Sequence, residues 1–308
     1  MLTGNQLREK LREWLSPPNP SINHNTARNI HHEGTAMWFI QSNNFKEWKK
    51  NGSLLWVRGN RVFLPFYQPF TTANVFPWLS AGSGKSILWY AASQRFPLQE
   101  INRVLSSAII EDIKQMRESR SALVAYYYLD FKDVAKRDVR GLLASILLQL
   151  VDNSDRCWDT LHQLYKSCQL GSEQPSEAAL VKCLGEMIDL PEQVPIYLIV
   201  DALDECPNTT GTPSAREKVL NFVRDLLLSD HPNLFFCITS RPEQDIGATL
   251  NPLTPPLNRV SLHDEGGQRQ DIDSYVRSFV QTDASMRRWR AEDKEHVISV
   301  LSERAAGM

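Results

Sequence analysis

The apolar run from Val194 to Val200 in "VPIYLIVDALDE" restricts the fold more than any other stretch. It has no alternation of apolar and polar residues and no charge until Asp201, so a strand here must be covered on both faces. Parallel sheets flanked by helices on each side meet that demand. Three more runs fit the same role: "SLLWVRG" (Ser53 to Gly59), "SALVAYYYLDF" (Ser121 to Phe131) and "NLFFCITSRP" (Asn233 to Pro242).

Helical patterns separate these runs. Asp138 stands as an N-cap before "VRGLLASILLQLV", whose Leu142, Leu143, Ile146, Leu147 and Leu150 fall on one face. A helical region is expected from about Cys157 to Leu190, and Ser214 with Glu217 forms a capping-box pattern ahead of "KVLNFVRDLLL". From about Asp271 the pattern is helical only. The expected fold class is therefore α/β, a mostly parallel sheet with helices on both faces followed by the start of a helical domain, with ligands at the carboxyl ends of the strands.

A chain of 308 residues with 42% hydrophobic composition can bury a substantial core, and its net charge of -2 offers no basic field for nucleic acid or an anionic membrane. "MRRWR" (Met286 to Arg290) runs straight into "AEDKE" and reads as an exposed helix face. Cys157, Cys168, Cys183, Cys206 and Cys237 are odd in number and widely spaced, the pattern of reduced thiols in an intracellular, cytoplasmic protein. No apolar run reaches the length of a membrane span. The opening "MLTGNQLREKLREWL" reads as an amphipathic docking helix with Leu7, Leu11, Trp14 and Leu15 on one face, and "SPPNPSINHN" breaks it. His24, His31 and His32 near that linker are assigned no role.

Three strand tips carry chemistry. "GSGKS" (Gly82 to Ser86) is the end of a phosphate-binding loop: the glycines let successive N–H groups converge on phosphate, Lys85 reaches the terminal phosphates, and the Ser86 hydroxyl ligates magnesium. Asp201, at the end of its strand, is placed to hold magnesium, and Asp204 and Glu205 follow at a spacing suited to orienting or deprotonating the attacking water. Arg241 ends a further strand, where its guanidinium can read a terminal phosphate. The bland readings are a flexible turn, a strand-ending acidic cap and a strand stopped by Pro242.

With the linker "LREWLSPPNPSINHNTARNIHHEGTAMWFIQSNNFKEWKKNGSLLWVRG", the motifs "GSGKS", "DALDEC" and "FFCITSRP" resemble the NACHT-type members of the STAND class of P-loop ATPases, and within them fungal NOD-like receptors with a nephrocystin-3-like N-terminal domain. The resemblance implies an ATP- or GTP-operated, Mg2+-dependent switch in which nucleotide exchange permits self-oligomerisation and hydrolysis resets the closed state, a device of fungal innate immunity and heterokaryon incompatibility. It divides the chain into a helical linker (1–52), a P-loop NTPase core (53–260) and the start of a truncated helical domain (261–308), with the effector and repeat domains of the family absent.

Two pieces depart from the pattern. The loop's first glycine should stand where Leu79 does, but removing Arg61 to Ser80 joins Gly59-Asn60 to Ala81-Gly82-Ser83-Gly84-Lys85-Ser86 and restores a full G-x-x-x-x-G-K-S. Removing roughly Trp89 to Ser106 likewise joins "GKSIL" to "SAIIEDIKQM" as one helix after the loop. The 20 residues "RVFLPFYQPFTTANVFPWLS" hold six aromatics, three prolines and no acidic residue, and both pieces end in Leu-Ser, so both are read as translated introns. The rival reading is a genuine lid or partner-binding insertion. In the chain as written Gly59 no longer fixes the loop's entry and Pro97 interrupts its exit helix, so nucleotide binding is expected to be weakened. A silent interaction or scaffold module is the alternative function, and a metabolic kinase is disfavoured because no acceptor motif is evident.

Overall fold

The computed structural model describes residues 4–30, 36–59, 98–119, 121–209, 211–262, 266–282, 286–287 and 289–306. The four apolar runs become strands β1 (Ser53–Arg58), β2 (Leu123–Tyr128), β3 (Ile196–Asp201) and β4 (Leu234–Ser240). A fifth, β5 (Arg259–Ser261), was not legible in the sequence because three residues with one apolar side chain give no run to detect. Every pairing is parallel and the order is β2-β3-β4-β1-β5.

Period-2 geometry sends alternate residues of each strand to two separate cores. Leu54, Trp56, Leu198, Val200, Phe236 and Ile238 enter one. Leu55, Val57, Tyr197, Ile199, Phe235 and Cys237 enter the other. Helices α1 (Gly4–Leu15), α6 (Val139–Val151), α7 (Asp155–Ser167), α8 (Glu177–Ile188) and α9 (Ala215–Leu228) contribute to the first core. Helices α3 (Met37–Ile40), α4 (Asn43–Asn51) and α5 (Leu98–Glu118) contribute to the second, and α2 (Ser21–Ile30) packs on α5. Beyond β4 come α10 (Gln244–Leu253), β5, α11 (Gly266–Thr282) and α12 (Ala291–Ala306).

Local chemistry sets the helix starts. Asp138 Oδ1 accepts the Gly141 N–H at 2.8 Å, and all five residues expected on the inner face of α6 are fully buried. Ser214 Oγ accepts the Glu217 N–H at 3.1 Å and caps α9. The single helical region expected from Cys157 to Leu190 is two helices, because Leu170 and Gly171 have positive φ, 53° and 86°, and Ser176 caps a fresh start. In α1, Leu11, Trp14 and Leu15 are buried; Trp14 donates its indole N–H to Glu173 O at 2.8 Å and stacks edge-on to Tyr165. Asp271 on α11 accepts the Ala36 N–H at 2.6 Å and the Trp38 indole at 2.9 Å, joining the helical segment to the linker.

Of the two irregular pieces, 61–80 lies outside the described residues, as does 89–97. Residues 98–106 form the first half of α5, continuous with 107–118, and Val104 and Leu105 are buried. No helix among the described residues is long and apolar enough to cross a membrane.

Phe236 sits at the middle of the central strand with no exposed surface. Phe236→Ala is expected to lower unfolding free energy by about 3–5 kcal/mol in urea titrations, while Leu257→Ala, at an exposed site, stays within about 0.5 kcal/mol.

Candidate functional site

The carboxyl ends of β3, β4 and β1 adjoin one another, so their tips converge. Asp201 is the last residue of β3 and points to the α5 side of the sheet, 1% exposed. Its Oδ1 accepts hydroxyl hydrogen bonds from Ser106 on α5 and from Thr239 on β4, the latter at 2.6 Å. Its Oδ2 is also buried and has no hydrogen-bond partner among the described residues. Burial raises the Asp201 pKa, opposed by the two hydroxyls and Arg103. A buried carboxylate with one satisfied and one open oxygen has the donor chemistry of a divalent-cation ligand.

After Asp201 the chain turns sharply. Ala202 has φ 57° and ψ 50°, a left-handed conformation unfavourable for a residue with a Cβ, and its N–H donates to Thr239 Oγ1 at 3.0 Å. One turn of 3-10 helix, Leu203–Glu205, then aims two carboxylates apart. Asp204 faces β4: Oδ1 accepts the Arg241 N–H at 3.0 Å and Oδ2 pairs with Arg241 Nε at 3.1 Å. Glu205 faces α5, where Arg103 Nη2 lies 3.4 Å from its Oε2 and 3.6 Å from Asp130 Oδ2. Burial pushes the Glu205 carboxyl up to about 7, opposed by Arg103 and reinforced by Asp201 and Asp130.

The structure thus brings Asp201, Asp204, Glu205 and Arg241 together at the strand ends. Gly59 follows β1 directly, buried, with its N–H donating to Ser240 O at 3.0 Å. Gly82, Ser83, Gly84, Lys85 and Ser86 lie outside the described residues. Ser106, Thr239 and Arg103 were missed in the sequence. Thr239 carried a signal, its position two residues before Arg241 on a strand tip, but Ser106 and Arg103 act through the register of α5, which no local motif announces.

These features define an α/β protein built on an all-parallel five-stranded sheet, with a buried carboxylate at the tip of an interior strand. The model of the family described as nephrocystin 3, N-terminal, matches residues 70–241, more than half of the 308. The chain belongs to that family. No curated protein sequence matches it. Among solved structures, the ORC2 protein of Aeropyrum pernix in its ADPNP-ADP complexes is similar at 10% identity and a TM-score of 0.38, covering 93% of this chain and 58% of that one. The chain therefore spans well under two thirds of that relative, and a likeness this loose carries no argument about the site.

Because the folded chain keeps a proton on Glu205 between its ordinary 4.5 and about 7, the stability tied to this group is present below pH 4.5 and lost as pH rises through 7. Glu205→Gln is expected to gain about 3 kcal/mol over the parent chain at pH 8 and little at pH 4.5. Thermal melts of both chains across that range check it.

Proposed function

We propose that the chain binds a purine nucleotide, ATP or GTP, with Mg2+ and hydrolyses it slowly, as the switch module of a cytoplasmic, fungal NACHT-type, STAND-class receptor whose full-length form self-oligomerises. One observation carries this reading: Asp201, buried at the tip of β3, presents a carboxylate oxygen without a partner among the described residues, beside the tips that hold Glu205 and Arg241. Asp201, with the Ser86 hydroxyl, would hold the magnesium ion, which supplies charge neutralisation to the phosphates when bound. Lys85 and the amides of Gly82 to Ser86, entered from Gly59, form the phosphate cradle in this reading.

The remaining residues divide the work. Glu205, with its carboxyl near 7, is suited to take a proton from water at neutral pH. Asp204 spends both oxygens on Arg241, so its share of the hydrolytic role is to position that arginine. Arg241, 30% exposed, retains surface from which to meet a terminal phosphate.

One observation favours the alternative, a silent interaction module. Arg103 and Ser106 of α5, well beyond Ser86 in the chain, are the residues that engage Glu205 and Asp201. In a phosphate loop the Lys-Ser pair opens the helix beside the strand tips, whereas the contacts described here to those tips come from residues outside the motif.

Titration with a fluorescent ATP analogue, with and without Mg2+, distinguishes the two. Magnesium-dependent binding weakened at least about tenfold by Lys85→Ala and by Asp201→Asn supports the switch, with circular dichroism to show that each variant is folded. A chain lacking 61–80, which keeps Arg103 and Ser106, is expected to bind more tightly than the full one. No binding by either chain, with nucleotide-independent assembly on gel filtration, establishes the silent module.

A further inference from the structure

Arg216 is a charged residue in the first turn of α9, and its side chain is only 7% exposed. A buried guanidinium persists only where its donors are met, and here they are met from two different loops. Nε donates to Cys206 O at 2.9 Å and Nη2 to Asp204 O at 2.6 Å, both on the turn that follows β3. Nη1 pairs with Glu243 Oε2 and, at 3.3 Å, with Asp245 Oδ2, both on the segment that follows β4. The planar fork therefore spans the gap between the turn carrying Glu205 and the loop carrying Arg241. Asp204 joins the same two segments a second time, through its carboxylate on Arg241.

We propose that Arg216 is a positioning residue: by clamping the Asp204–Cys206 turn to the Glu243–Asp245 segment it fixes Arg241 on Asp204, so that a displacement of Arg241 is passed to Glu205. A purely structural anchor would need only one of these loops. The three guanidinium nitrogens divide between two backbone carbonyls and two carboxylates, and a lysine, with a single nitrogen, cannot span them. The inference rests on the proposed nucleotide site only for what Arg241 touches; the coupling itself is a property of the chain alone.

The test is a double-mutant cycle on the full chain, read by amide hydrogen exchange and by the Arg241 Nε resonance in nitrogen-15 spectra. Arg216→Ala and Asp204→Asn are each expected to speed exchange of the Arg241 amide at least about tenfold and to shift the Nε resonance, and the double variant adds nothing further. Amides of Leu198 to Val200 keep their protection, which separates loss of positioning from loss of fold. Arg216→Lys is expected to behave like Arg216→Ala, and if the alanine variant does not fold, the lysine and Asp204→Asn variants complete the comparison. An unchanged Arg241 amide in Arg216→Lys, full rescue by lysine, or additive effects in the cycle overturn the proposal. Absence of ATP-analogue binding by both the parent and the shortened chain removes the nucleotide reading and leaves the exchange result to decide the clamp.

Discussion

Burial of β3 on both faces is the constraint on which the rest depends. A strand with parallel neighbours on each side and helices above and below has no place for a polar side chain along its length, and Ile196 to Val200 have none beyond the Tyr197 hydroxyl, which reaches Lys49 O at 3.2 Å. Polar chemistry is thereby displaced to the strand ends. Asp201 is the first residue at which a carboxylate can be satisfied, because the hydroxyls of a helix and a neighbouring strand reach it there. The left-handed Ala202 turns the chain before the next acidic residue can follow Asp201 into the sheet.

Charge at this end of the sheet is held by two arginines working in different directions. Arg103 lies between Glu205 and Asp130 on the α5 side, and Arg241 lies on Asp204 on the β4 side. Partly buried pairs of this kind return little net stability but make removal of one partner costly, so they fix geometry more than they hold the fold together. Glu205 is the member whose burial outweighs its cation, which is why its proton affinity stands near neutrality while the neighbouring Asp130, with Lys132 N–H, Arg103 and Asn23 around it, remains below its ordinary range.

Much of this architecture was legible because it is written in local patterns. The four long strands announce themselves as apolar runs, and α6 and α9 by their caps and faces; Asp201, Glu205 and Arg241 are read from their places after those runs. What was hidden depends on distant partners. β5 has three residues and exists because Val57 and Arg58 offer an open ladder to Val260 and Ser261. The break between α7 and α8 rests on positive φ at Leu170, a residue type that gives no warning of it. Asp204, read with Glu205 as orienting or deprotonating water, is engaged with Arg241, a contact between positions far apart in the chain. Ser106 and Arg103 fell within a stretch set apart because it interrupts the expected helix and ends in Leu-Ser, yet 98–106 is continuous with α5 and its Ser106 is fully buried against Asp201.

The strand order has a consequence for how the chain reaches this state. Among the described strands, β2, β3 and β4 pair in the order in which they are synthesised, but β1, which precedes them in the chain, belongs between β4 and β5. Leu54 to Val57 must therefore wait, apolar on both faces, until β4 is complete at Ser240, and closing that loop adds a slow, long-range step to folding. During that interval β1 is an unpaired hydrophobic edge, so nascent or partly refolded chains are most exposed to misassociation through this strand.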